Sequence, residues 1–154
     1  MQEMDVSSEN TEPPDWMPDL AHVARWVCGE LGRDSWSLGV LLCDEQRMRG
    51  LNSEYRRVDE PTDVLTFVRD DERPAQGDPV EGDLAICVPY VAASAASVGV
   101  PPREEFLRVF VHGLLHLAGY THEGVDLSSP GALDDPMLGL QERLVGAIAR
   151  GLDS

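Results

Sequence analysis

The stretch Val111-His112-Gly113-Leu114-Leu115-His116-Leu117-Ala118-Gly119-Tyr120-Thr121-His122 holds three of the chain's four histidines, at offsets 0, +4 and +10, with a glycine at +7. Two histidines four apart on a helix project from one face, one turn above the other. A glycine three residues later supplies the left-handed conformation that ends a helix and turns the chain back. The third histidine, three residues past that turn, then reaches the same point in space. Three imidazole nitrogens around one ion, with the fourth position open, is the pattern of catalytic rather than structural zinc. The spacing therefore predicts a metal centre of His112, His116 and His122. A single histidine on an apolar helix is more often a core residue, and His22 reads that way.

The same spacing occurs in the metzincin metalloproteases, whose pattern puts a glutamate after the first histidine as general base for the zinc-bound water. Gly113 stands at that position here, which argues against a peptidase of that type. Glycine inside a helix costs about 1 kcal/mol relative to alanine. The expectation is that the missing Cβ leaves room beside the metal for a bulky substrate.

Outward from this stretch, Pro101-Pro102 opens a helix bearing Phe106, Leu107, Phe110, Leu114, Leu115 and Leu117. Apolar nearly all round, it reads as buried at the centre of the fold. An alanine-rich helix precedes it from about Tyr90 to Val98, ended by Gly99. Three strands are expected: Trp36 to Cys43, Val64 to Val68 and Asp83 to Val88. Asp70 to Gly82 reads as a long acidic loop. Leu20, Val23, Ala24, Val27 and Leu31 follow helical spacing after Asp19, and Asp44 caps a second helix running through Tyr55. The last helix, from about Leu133, puts Met137, Leu140, Leu144, Ile148 and Leu152 on one face. This order predicts an α+β fold, a sheet packed against a central helix. Residues 1–15 are polar, acidic and aperiodic and read as a disordered extension; residues 16–154 read as a single small domain.

A chain of 154 residues with 42% hydrophobic residues can bury a core of its own. No apolar run approaches the roughly 20 residues of a membrane span, and the acidic N-terminus is unlike a signal peptide. Cys28, Cys43 and Cys87 are odd in number and scattered in apolar segments, so they read as buried thiols of a cytoplasmic protein. The net charge of −16 argues against autonomous nucleic-acid binding, because phosphate contacts need Arg or Lys. Yet the acid is concentrated in residues 1–19 (−6), 59–83 (−7) and 123–154 (−4), and the remainder sums to +1. Within that remainder Arg47, Arg49, Arg56 and Arg57 form the one basic cluster.

Two further segments carry a family resemblance: Leu51-Asn52-Ser53-Glu54-Tyr55-Arg56-Arg57-Val58-Asp59-Glu60-Pro61-Thr62-Asp63-Val64-Leu65-Thr66-Phe67, and Gly82-Asp83-Leu84-Ala85-Ile86-Cys87. Together with the histidine stretch they resemble the YbeY family of bacterial rRNA-maturation endoribonucleases, in the family's order, from about Leu38 to Ile148, with Met137 and Glu142 near the end. The resemblance implies a mixed sheet around a buried helix. It also implies a zinc-dependent, single-strand-specific endoribonuclease acting at the small-subunit rRNA 3′ end and in ribosome quality control. The family's metal ligands map onto His112, His116 and His122, and its functionally important arginine onto Arg56. The chain departs from the family where Thr121 replaces the usual aspartate before the third histidine, where Thr66 replaces serine and where Val68 replaces a frequent proline.

For RNA cleavage one Zn(2+) ion held by the three histidines would act as a Lewis acid on a phosphate oxygen or activate a bound water. Arg56 would bind the same phosphate through bidentate, charge-assisted hydrogen bonds and serve both catalysis and substrate binding. Asp63 and Asp83, beside turns, read as caps rather than ligands. Tyr55 and Tyr120 offer aromatic faces for stacking on bases, though both fit ordinary packing better. The implied partners are single-stranded rRNA and the ribosome or its proteins, with no membrane. Two alternatives stand beside the nuclease: a non-catalytic ribosome assembly factor with a structural metal, and a metal-dependent hydrolase of another substrate class.

Overall fold

Four strands, β1 (Gln2–Glu9), β2 (Trp36–Cys43), β3 (Val64–Val68) and β4 (Val80–Cys87), form one sheet in the order β1-β2-β4-β3. The first three in that order run parallel, and β3 lies antiparallel to β4 along the far edge. Five helices accompany them: α1 (Leu20–Glu30), α2 (Glu45–Arg56), α3 (Val88–Val98), α4 (Pro102–Leu117) and α5 (Pro136–Ala149). The structure, a computed structural model, describes residues 2–68, 79–120 and 136–152.

Strand β2, and β4 from Leu84 to Cys87, read as near-continuous apolar runs because both of their faces are covered there, as central parallel strands require. On one face Leu38, Val40 and Leu42 of β2 and Leu84 and Ile86 of β4 join the main core with α1, α4 and α5. On the other, Cys43, Ala85 and Cys87 meet Met48 and Leu51 of α2 and Leu65 of β3. The central helix is α4, whose Phe106, Phe110, Leu114, Leu115 and Leu117 are fully buried. Burial of such side chains contributes about 1.5–3 kcal/mol each. The α+β class and the buried central helix are as the sequence predicts.

The helix ends follow local chemistry. Asp44 Oδ1 accepts from the Arg47 amide at 2.8 Å to start α2, and Asp19 Oδ1 accepts from the His22 amide at 3.2 Å to start α1. Pro102 opens α4, and Gly99 closes α3 with φ of 76°. The Gly119 expected to turn the chain after α4 has φ of 102°.

Several boundaries differ from the sequence reading. Residues 2–9, expected to belong to a disordered extension, form β1, in register with all eight residues of β2. An edge strand is held by its backbone ladder and needs no apolar periodicity, and the charged Glu3, Asp5 and Glu9 discourage further pairing along its outer edge. Val80, Glu81 and Gly82 belong to β4 rather than to the acidic loop, whose residues 70–78 lie outside the described residues. Val88 and Pro89 belong to α3, because proline suits a first helical turn. Leu152 lies past the end of α5 and is exposed.

Candidate active site

Along α4 a polar stripe recurs every fourth residue, Arg108, His112 and His116, on a helix otherwise largely buried. One turn spacing keeps the three side chains on one face. That face looks into an open pocket of about 760 Å³ between α4, β3, the end of α2 and α5. The volume falls within the about 300–1,000 Å³ of small-ligand sites.

The Nε2 atoms of His112 and His116 approach to 3.1 Å, with the ring planes at 78° and centroids 4.7 Å apart. Two ligand nitrogens on a tetrahedral zinc, with bonds of about 2.0–2.1 Å, sit about 3.3 Å apart. The pair therefore fits two positions of such a centre. On the far side of the ring, His112 Nδ1 lies 2.6 Å from Gln141 Oε1, the outer contact that metal-binding imidazoles characteristically make. Among the described residues no group of three His, Cys, Asp or Glu side chains gathers to hold an ion, and His122 and Thr121 lie outside the described residues.

Arg56, the last residue of α2, lines the same pocket as the two histidines. Its placement follows from how α2 ends. Arg57 takes a left-handed conformation with φ of 59°, and its amide donates to the Ser53 carbonyl at 3.1 Å. Asn52, almost fully buried, donates from Nδ2 to the Glu60 carbonyl at 2.8 Å and ties the following loop to the helix. Strand β3 thereby starts beside Arg56. Two other members of the basic cluster are engaged elsewhere: Arg47 Nε lies 2.8 Å from Glu9, and Arg49 forms two hydrogen bonds to Asp59 at 2.7 and 3.0 Å. Arg49, through its hydrogen bonds first and its charge second, holds the Asp59 carboxyl below the usual carboxylate range.

The other candidates separate cleanly. Tyr55 is 59% exposed, lines the pocket beside Arg56 and meets the edge of Phe67 at 5.0 Å between centroids. Tyr120 instead packs on the main core. Asp63 Oδ1 accepts from the Val64 amide at 2.8 Å and the Thr62 hydroxyl at 3.3 Å, the turn role expected of it. Asp83 stands against Gly39, on the sheet face opposite α4 and away from the histidines. Gly113 does not open space beside the histidines: a Cβ there would come within 2.7 Å of Leu84 Cδ2, so the glycine lets α4 settle on β4. His22 is half-buried on α1, outside the pocket.

The model of the family described as Endoribonuclease YbeY matches residues 6–130. The chain belongs to the YbeY family. An Endoribonuclease YbeY of Treponema pallidum (strain Nichols) is 37% identical over 97% of this chain and 91% of that protein. One from Sulfurihydrogenibium sp. (strain YO3AOP1) is 40% identical over 68% of each. The solution structure of a Thermotoga maritima protein superposes with a TM-score of 0.63 at 26% identity, covering 96% of this chain and 92% of that one. The match to the family spans His112, His116, Arg56 and the β1 strand from Val6 onward. None of the described helices is long and apolar enough to cross a membrane.

Sequence reasoning misses Arg108, Glu105 and Gln141, which line the pocket. The stripe at 108, 112 and 116 is a signal for the first of these. Gln141 carries a weaker one, since it falls four residues after Met137 and three before Leu144, on the buried face of α5.

Proposed function

We propose that this chain is a zinc-dependent, single-strand-specific endoribonuclease that matures rRNA at the small-subunit 3′ end and takes part in ribosome quality control. The supporting observation is the meeting of Arg56 with His112 and His116 in one open pocket, although they come from helices far apart in sequence. His112, His116 and His122 would hold the zinc. The bound ion supplies a Lewis acid for a phosphate oxygen and acidifies a coordinated water.

The chain's own side chains do the rest. Arg56 presents a planar fork of donors that grips two phosphate oxygens and offsets charge growing on them during cleavage. Tyr55 beside it offers an exposed ring for the neighbouring base, a contact available only when that base is unpaired. Glu105 and Glu142 would repel a phosphate, and Arg108, which engages both, offsets only part of their charge. The surface as a whole remains acidic, and recognition of the right RNA is assigned to a ribosomal partner and the pre-ribosome. The buried, unpaired thiols suit a reducing cytoplasm.

A substrate panel tests the reading. Zinc-loaded protein is incubated with single-stranded RNA, its duplex, the same sequence as DNA, and a peptide. Cleavage of the single-stranded RNA alone is expected. An inert protein on all four would favour the assembly-factor alternative, and peptide cleavage would favour the hydrolase alternative.

A further inference from the structure

Gln141 is buried at the α4–α5 interface, only 7% exposed, where a polar amide is costly unless bonded on both sides. Both sides are bonded. Its Oε1 lies 2.6 Å from His112 Nδ1, and its Nε2 donates to Glu142 Oε2 at 3.3 Å. Glu142 in turn accepts from Arg108 Nε with both oxygens, at 3.1 and 2.9 Å. Arg108 also faces Glu105 at 3.4 Å and Glu104 at 3.9 Å. The hydrogen bond from Arg108 to Glu142 is the chief reason that its guanidinium holds its proton more tightly than usual.

We propose that Gln141 is a positioning residue for the metal centre, holding His112 in the tautomer whose Nε2 lone pair faces His116, with Arg108 and Glu142 fixing the amide's orientation. The inference rests on the metal reading above and goes beyond the ligand set. An amide can sit either way round, but the reversed amide would aim its oxygen at the Glu142 carboxylate and its NH2 group at His112. Glu142, anchored by Arg108, makes that orientation unfavourable. The amide oxygen is then the group facing Nδ1, and an acceptor there selects the Nδ1–H form of the neutral ring. The lone pair is then on the second ring nitrogen, Nε2, which lies 3.1 Å from His116 Nε2. A neutral amide orients the ring without adding negative charge beside the metal, which preserves the ion's Lewis acidity.

Two measurements on the full chain test this without RNA. Long-range nitrogen–proton NMR spectra of the metal-free protein report which nitrogen of His112 carries the proton. Chelator competition gives zinc affinity for the wild type, Gln141→Leu and Gln141→Glu, with the thermal midpoint of each metal-free protein as a check on folding. The expected result is a proton on Nδ1 in the wild type. Zinc affinity should fall about 10- to 100-fold in Gln141→Leu. It should be kept in Gln141→Glu, which restores an acceptor. A wild-type proton on Nε2, or unchanged affinity in Gln141→Leu, overturns the proposal. If Gln141→Leu does not fold, the wild-type spectrum and the Gln141→Glu affinity decide. Failure to cleave RNA would leave this inference standing. RNA cleavage by a Gln141→Leu protein of normal zinc affinity would sink it alone.

Discussion

Arg56 and Arg108 line one pocket in different surroundings. Arg108 is ringed by Glu104, Glu105 and Glu142, whereas Arg56 has no ion-pair partner among the described residues and is exposed at the end of α2. In the proposed reading, Arg56 is accordingly the cation left to meet the scissile phosphate. Replacing it with alanine should lower kcat/KM on single-stranded RNA by about 10²–10³-fold, the scale seen when one donor to a developing oxyanion is lost. The thermal midpoint should hardly move, because exposed side chains contribute little to stability. The same reading gives Tyr55 a role in binding: Tyr55→Ala should raise KM by about fivefold or more, and Tyr55→Phe should not, since stacking uses the ring. An oligonucleotide with an abasic position beside the cleavage site should show the same KM with wild type and Tyr55→Ala. These roles are partly legible in the sequence. Arg56 is visible through its motif, but Tyr55's exposure is not, because an aromatic beside an apolar helix face reads as packing until the fold shows it protruding.

The helix α4 and the strand β4 lie so close that two glycines are required between them. A Cβ on Gly113 would meet Leu84, and one on Gly82, where φ is 153°, would meet Leu117 Cδ2 at 2.5 Å and the Phe67 carbonyl at 2.6 Å. Gly113→Ala should therefore destabilise the protein by about 1–3 kcal/mol through overpacking, measured by denaturant unfolding. The double variant Gly113→Ala/Leu84→Val should cost less than the two single changes added together, because the contacts are shared. Strict additivity would place Gly113 elsewhere. Elements such as β2, α2 and α4 can be read from the sequence because burial writes a pattern: an apolar run, a capped 3.6-residue period, a helix apolar nearly all round. Strand β1 cannot, since only Met4 packs against the core and the rest is held by main-chain bonds that any residues can make. The packing role of Gly113 is hidden for a related reason. Sequence spacing shows which face the histidines share, but not what the next residue round the helix touches.

At the scale of the whole molecule, two properties follow from charge and burial. The net charge of −16 predicts that the isolated protein binds RNA weakly, so tight, salt-insensitive binding in a filter assay would contradict the proposed reliance on a ribosomal partner. All three thiols are buried and harder to ionise than usual. Desolvation pushes Cys28 from 9.0 up to about 11, and it also raises Cys43 and Cys87, which sit opposite each other on β2 and β4. A thiol with a raised folded pKa contributes its stabilisation fully below the unfolded value and loses it as pH climbs through the folded one. For Cys28 that window runs from 9.0 to about 11, and denaturant midpoints should fall across it less steeply in Cys28→Ala. The most direct test of the account concerns the histidines themselves: the single-turnover rate of single-stranded RNA cleavage at saturating zinc, for wild type and a folded His116→Ala. The account predicts cleavage by the wild type and none above background in the variant. Equal rates in the two would mean that the paired imidazoles of α4 are not where the chemistry happens.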